Sequence, residues 1–152
     1  MKRILFLVLL GLMLSGFSTK AAEAGDRILG IWHTTDDKSQ VEIFKEKDKY
    51  YAKILSLKEP NWPAGDVEGM AGKPKNDRGN PDPKLRGRPI VGMQFMNGFA
   101  YSGKNKWVNG TIYDPESGKT YKCKMTLSDD KHLEVRGFIG ISMLGRTVVW
   151  TR

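Results

Sequence analysis

The chain has 152 residues, 39% of them hydrophobic and 28% charged, and a formal net charge of +8. Its single cysteine, Cys123, excludes an intrachain disulfide and a thiolate-rich metal site. Basic and acidic residues intermingle without a block of five like charges, so the composition points to no nucleic-acid partner.

Lys2 and Arg3 precede an apolar run from Ile4 to about Phe17, and Ala22-Glu23-Ala24 supplies a small-x-small cleavage site. Residues 1–24 are expected to be a secretory signal peptide, leaving 25–152 as one domain in the periplasm or outside the cell. The apolar run is shorter than the roughly 20 residues that a membrane span needs, so no transmembrane segment is expected after cleavage. The 128 residues that follow carry 22 basic and 16 acidic side chains, a net charge of +6. Such a surface can meet an anionic envelope component.

The expected domain opens with a strand, Ile28 to Thr34, in which Gly30 permits a kink or a close backbone approach. A turn at 36–39 leads to a second strand around Val41 and Ile43, and a turn at 46–49 leads to a third from Tyr50 to Leu57. Six of the seven prolines then fall between Glu59 and Pro89, among five glycines, a composition that neither a sheet interior nor a stable helix accepts. This long segment is expected to be a covering loop rather than a linker. A strand from Ile90 to Phe95 follows. A broader connection from Asn97 to Asn105, with a short helical turn, is expected next.

The last third is the clearest. Tyr121, Cys123, Met125 and Leu127 alternate with Thr120, Lys122, Lys124 and Thr126, the period of a half-buried strand. In Asp114-Pro115-Glu116-Ser117-Gly118, Pro115 presets φ, Asp114 bonds back to the backbone and Gly118 accepts positive φ, so the segment is a hairpin turn. Strands near 107–113, 119–127 and 132–137 make a meander. Residues 138–145, punctuated by Gly140 and Gly145, fit a compact turn or one helical turn, and 146–152 the last strand. Eight antiparallel strands predict an all-β, up-and-down barrel with a long Pro-rich loop across one opening; a β-sandwich of the same strands is the alternative.

Gly30-Ile31-Trp32 resembles the Gly-x-Trp signature of lipocalins, in which the Trp closes one barrel end beneath an Arg. Arg146 and Arg152 are the candidates for that Arg here, through a cation–π stack. The chain also resembles an exported bacterial family known as domain of unknown function 2147. The resemblance is carried by Gly30-Ile31-Trp32, Arg88-Pro89-Ile90-Val91-Gly92, Gly110-Thr111-Ile112-Tyr113-Asp114-Pro115, Gly118-Lys119-Thr120-Tyr121, Arg136-Gly137-Phe138-Ile139-Gly140, Gly145-Arg146-Thr147 and Trp150-Thr151-Arg152. It implies a small lipocalin-like barrel and no established activity. Some relatives carry cysteines in the long loop; this loop has none, so no thiol role carries over.

No motif for chemistry stands out. There is no histidine pair at metal spacing, no Gly-x-Ser-x-Gly and no phosphate loop, so no enzyme, cofactor or metal is predicted, and His33 and His132 are read as solvent-facing or locally bonded. Asp77, Asn80 and Asp82 are hard oxygen donors of the sort calcium takes, but the neighbouring Lys75, Arg78 and Lys84 favour a turn held by side-chain-to-backbone bonds. The barrel leaves Trp32, Tyr121, Met125, Arg136, Arg146 and Trp150 as candidate ligand-binding residues. The aromatics and Met125 offer core or cavity wall, and the arginines offer either structural pairing or anchorage of a carboxylate or phosphate. Two functions follow: binding of a small apolar or amphipathic ligand in the barrel, or a non-catalytic envelope module with a filled barrel and a basic surface.

Overall fold

The computed structural model describes residues 23–152, so the expected leader falls almost wholly outside the described residues. Eight antiparallel strands close a barrel in simple chain order: β1 (Gly30–His33), β2 (Ser39–Glu46), β3 (Lys49–Leu57), β4 (Gln94–Tyr101), β5 (Lys106–Asp114), β6 (Lys119–Asp129), β7 (His132–Phe138) and β8 (Gly145–Thr151). Closure rests on a narrow seam in which His33 of β1 pairs with Thr151 of β8. The barrel reading therefore holds over the sandwich, because closure leaves no edge strand.

Alternation decides which side chains enter the barrel. On β6, Cys123, Met125 and Leu127 are buried, and on β7 so are Leu133 and Val135. Register places these in layers: Leu127 with Leu133 and Trp150, then Met125 with Val135 and Val148, then Cys123 with Gly137 and Arg146. Tyr50, Phe99 and Trp107 join the same continuous core.

Two sequence expectations need correction at β4. The segment 90–93 is a turn, closed by Met93 N–H donating to Ile90 O, and the strand starts at Gln94. Nor is 97–105 a broad connection, since the strand runs on to Tyr101. The Asn97-Gly98 pair looks like a turn but acts as an irregularity inside the strand. Gly98 sits at φ 75°, and the β3–β4 register slips on both sides of Ala52. The true turn is tight, and Lys104 and Asn105 both take positive φ there. By contrast the Asp114 turn forms as expected: Gly118 N–H donates to Asp114 O, and the Asp114 carboxylate accepts from Glu116 N and Ser117 Oγ.

In an up-and-down barrel the β2–β3, β4–β5 and β6–β7 turns share one end, the base, with the N-terminal segment. A short 3-10 turn at Asp26–Ile28 plugs the base. Trp32 is fully buried and its Nε1–H donates to Ile28 O at 2.8 Å. The Arg152 guanidinium lies 4.3 Å from the Trp32 ring and donates to the carbonyls of Arg27, Leu29 and Asp130. Arg152, not Arg146, is thus the stacking arginine. Tyr50 Oη and Lys45 Nζ both donate to Asp26, while Trp107 Nε1–H donates to Gly25 O. Gly30 takes φ 110° with nothing within 4 Å of where a Cβ would lie, so it serves the kink and not a close approach.

The other end, the mouth, carries the β1–β2, β3–β4, β5–β6 and β7–β8 connections. The β3–β4 loop is ordered by polar networks. Asp77, fully buried, accepts from Tyr113 Oη at 2.7 Å, Arg88 Nε at 2.8 Å and Asn80 Nδ2 at 2.8 Å. Asn80 Oδ1 accepts from Asp82 N, the expected side-chain-held turn. Farther out, Arg78 lies 3.4 Å from the Trp62 ring and ion-pairs with Asp66. Ile90 and Met93 enter the core, and Gly79 packs on the β5–β6 turn. The loop is therefore a buttress on the β3–β5 side of the mouth.

Candidate functional site

Deep inside, the barrel offers no room. Trp32, Met125 and Trp150 are sealed within the core, with Phe95 and Trp150 ring centroids 6.2 Å apart. Among the described residues, no buried side-chain nitrogen or oxygen lacks a partner. Two open clefts lie outside the barrel. One, of about 310 Å³, lies between the β1–β2 connection and Val149 and Thr151; the other, of about 300 Å³, lies within the long loop between Met70 and Pro89.

Burial falls off along the inner face toward the mouth. On β8 it runs from buried Trp150 through half-buried Val148 to exposed Arg146, all on one face by strict alternation. Opposite Arg146 stands Gly137, which has no side chain. A Cβ there would lie 3.6 Å from Ile112 Cγ2 and 3.8 Å from Tyr121 Cβ, ordinary contact distances. Ile112 and Tyr121 are themselves paired across β5 and β6, and both are half-buried. The result is a thinly covered upper layer that we call the vestibule: half-buried Ile112, Tyr121 and Val148 form an apolar floor, Gly137 leaves a side-chain-sized gap opposite Arg146, and the guanidinium stands at the rim. Among the described residues, the Arg146 guanidinium has no hydrogen-bonding or ion-pair partner, so its charge is available to a solute.

Of the six residues singled out from the sequence, the structure brings Tyr121 and Arg146 together at the vestibule and places Trp32, Met125 and Trp150 below it. Arg136 lies on the outer face. It pairs with no carboxylate among the described residues. Instead its guanidinium donates to Ser142 O at 2.8 Å, Met143 O at 3.3 Å and Thr147 Oγ1 at 2.7 Å. Ile112, Val148 and Gly137 were not singled out. The alternation that marked Tyr121 marks the first two as well. The gap at Gly137 needs the register.

The remaining reactive groups are locally satisfied. His33 Nδ1 lies 2.7 Å from Asp37 Oδ1, and His132 Nδ1 lies 2.8 Å from Asp129 Oδ1, both at the surface. Burial pushes the Cys123 thiol up to about 12, far from a reactive thiolate. Tyr113 is also raised, by burial and then by the adjacent Asp77 carboxylate, so it stays a hydrogen-bond donor. No helix among the described residues is long and apolar enough to cross a membrane.

Among solved structures, the chain is similar to HP1028, a protein from Helicobacter pylori described as belonging to the lipocalin family. The two share 31% identity over 82% of each chain, with a TM-score of 0.68. A comparison with curated proteins returned no match. The profile of one family spans residues 30–152, the whole barrel from the Gly-x-Trp strand to the terminal arginine. On this evidence the chain belongs to the bacterial family described as "Uncharacterized protein conserved in bacteria (DUF2147)" and has a lipocalin-like fold.

Proposed function

We propose that the protein is an exported, non-catalytic binder of a small amphipathic anion, held at the mouth of the barrel and not deep within it. The observation that carries this is the uppermost inner layer, in which unpaired Arg146 faces the Gly137 gap beside Ile112 and Tyr121. An apolar body lies against the floor, and a carboxylate, sulfate or phosphate head meets the guanidinium, whose planar fork suits such anions. The filled interior limits the ligand to what the vestibule accepts.

The test is fluorescence titration with a dansylated fatty acid. Arg146→Ala should weaken binding roughly tenfold, the loss of a charge-assisted hydrogen bond. Gly137→Leu should abolish it by covering Ile112 and Tyr121; the Cβ itself has ordinary clearance, and a cooperative thermal melt checks that the variant folds. No saturable binding, or full affinity in Gly137→Leu, overturns the reading. The sealed core also supports the interaction role, in which the outer surface of β6–β8 meets an anionic partner.

A further inference from the structure

The β7–β8 connection exposes Ile139 at 67%, Ile141 at 62%, Met143 at 84% and Leu144 at 70%. Four adjacent large apolar side chains in water are unusual for a loop, where polar residues are the rule. Nor is this loop a slack one. Arg136 reaches up from the outer face of β7 to hold the carbonyls of Ser142 and Met143, and Ile139 N–H and Leu144 N–H donate within the loop to Leu144 O and Ile141 O. Gly140 takes φ 69° to make the bend. These bonds pin the backbone at both ends of the loop, and the four apolar side chains are left exposed.

The charge around the loop is one-sided. Segments 117–127 and 135–148, which make the mouth half of β6–β8, carry Lys119, Lys122, Lys124, Arg136 and Arg146 and no carboxylate. Lys122 pairs with Phe138 and Lys124 with Arg136, which sets these cations on the outer face directly beneath the loop. Of the acids beside these segments, Asp114 is engaged in its own turn and Glu134 with Ser128 Oγ, which leaves Glu116 of the β5–β6 turn as the one carboxylate near this face without a partner among the described residues.

We infer that this loop is a membrane-docking finger, whose apolar tip enters the interface of a bilayer while the cations below it meet anionic phospholipid headgroups. Apolar side chains beyond a ring of lysine and arginine are the arrangement that binds at such interfaces, since burial and headgroup attraction add. A second copy of this chain is disfavoured, because two such cationic collars repel. The inference takes the interaction reading to a named surface and partner, and it does not require the vestibule to hold a ligand.

The test is flotation of the protein with vesicles of phosphatidylcholine alone or with about 30% phosphatidylglycerol, an anionic surface on the scale of a natural leaflet. The protein is expressed from its full sequence and its N-terminus read by intact mass, so that an uncleaved leader is not mistaken for the loop. Flotation is expected with the anionic vesicles only, falling at least tenfold between about 0.05 and 0.5 M salt as the Debye length shrinks. The exposed-site variant Ile141→Ser/Met143→Asp/Leu144→Asp should lose flotation while melting like wild type. Lys119→Gln/Lys122→Gln should weaken it several-fold, and Gly137→Leu should leave it intact even though ligand binding is lost. No flotation with anionic vesicles, or equal flotation of the loop variant, overturns the inference. So does a wild-type dimer by light scattering that the loop variant converts to monomer, since a second copy then covers the loop.

Discussion

Replacing Trp32 with alanine tests the closure of the base. The indole is fully buried, so its removal leaves a large void beneath the 3-10 plug, and such Trp→Ala changes cost about 3–5 kcal/mol. The carbonyl of Ile28 loses its 2.8 Å donor, and Arg152 loses the ring 4.3 Å below it. Arg152 is exposed, so the stack itself contributes only about 0.5–1 kcal/mol. Arg152→Ala should cost about 1–2 kcal/mol, because the guanidinium also holds the carbonyls of Arg27, Leu29 and Asp130. The double mutant should then be less destabilised than the sum of the singles by that same 0.5–1 kcal/mol. Urea unfolding followed by far-UV circular dichroism gives all three values. A loss below about 1 kcal/mol in Trp32→Ala removes Trp32 from the core. A coupling of zero means that Arg152 acts through the carbonyls alone.

The other predictions concern the loop, the plug and the thiol. Asp77→Ala should cost about 1–3 kcal/mol by stranding Tyr113, Arg88 and Asn80, and should make the β3–β4 loop the first site of limited proteolysis; an uncut loop would show that Ile90 and Met93 hold it unaided. Burial would raise Asp26, but hydrogen bonds from Lys45 and Tyr50 outweigh it and hold the carboxyl below its ordinary 3.8, so its contribution is present above that pH and lost as pH falls further. Tyr50 is raised above its ordinary 10.0 by burial and by Asp26, so its contribution is present below pH 10 and lost above it. Thermal melts against pH should therefore fall at both extremes, and Tyr50→Phe should shrink the alkaline fall, leaving the share of Tyr113 and Cys123, which are also raised; an unchanged alkaline limb refutes the link. Cys123 should react with a disulfide reagent only on unfolding, and rapid labelling of folded protein would place the thiol at the surface.

Much of the barrel was legible because strand alternation is a local property. The run from Tyr121 to Leu127, the Asp114 turn and the Gly-x-Trp start each state their conformation through a few neighbouring residues. The strand at 94–101 was not legible, since Asn97-Gly98 is the same dipeptide whether it makes a hairpin turn or a bulge. Only the strands on either side decide between them. The long loop reads as irregular from its prolines, yet its order comes from Asp77 meeting Tyr113 across 36 residues.

What the sequence by itself determined is the class of fold, the inward face of each clear strand and the place of Cys123 on such a face. These follow from period, turn chemistry and composition, which need no knowledge of partners far along the chain. Tertiary structure alone decided the rest: that Arg152 takes the Trp32 ring while Arg146 stays unpaired, that Gly137 leaves a gap beside Tyr121, and that Ile139 to Leu144 face outward. Each depends on register between strands, and a shift of one residue exchanges inside for outside. An arginine near the end of a barrel strand therefore reads the same in sequence whether it seals the base or stands open at the mouth.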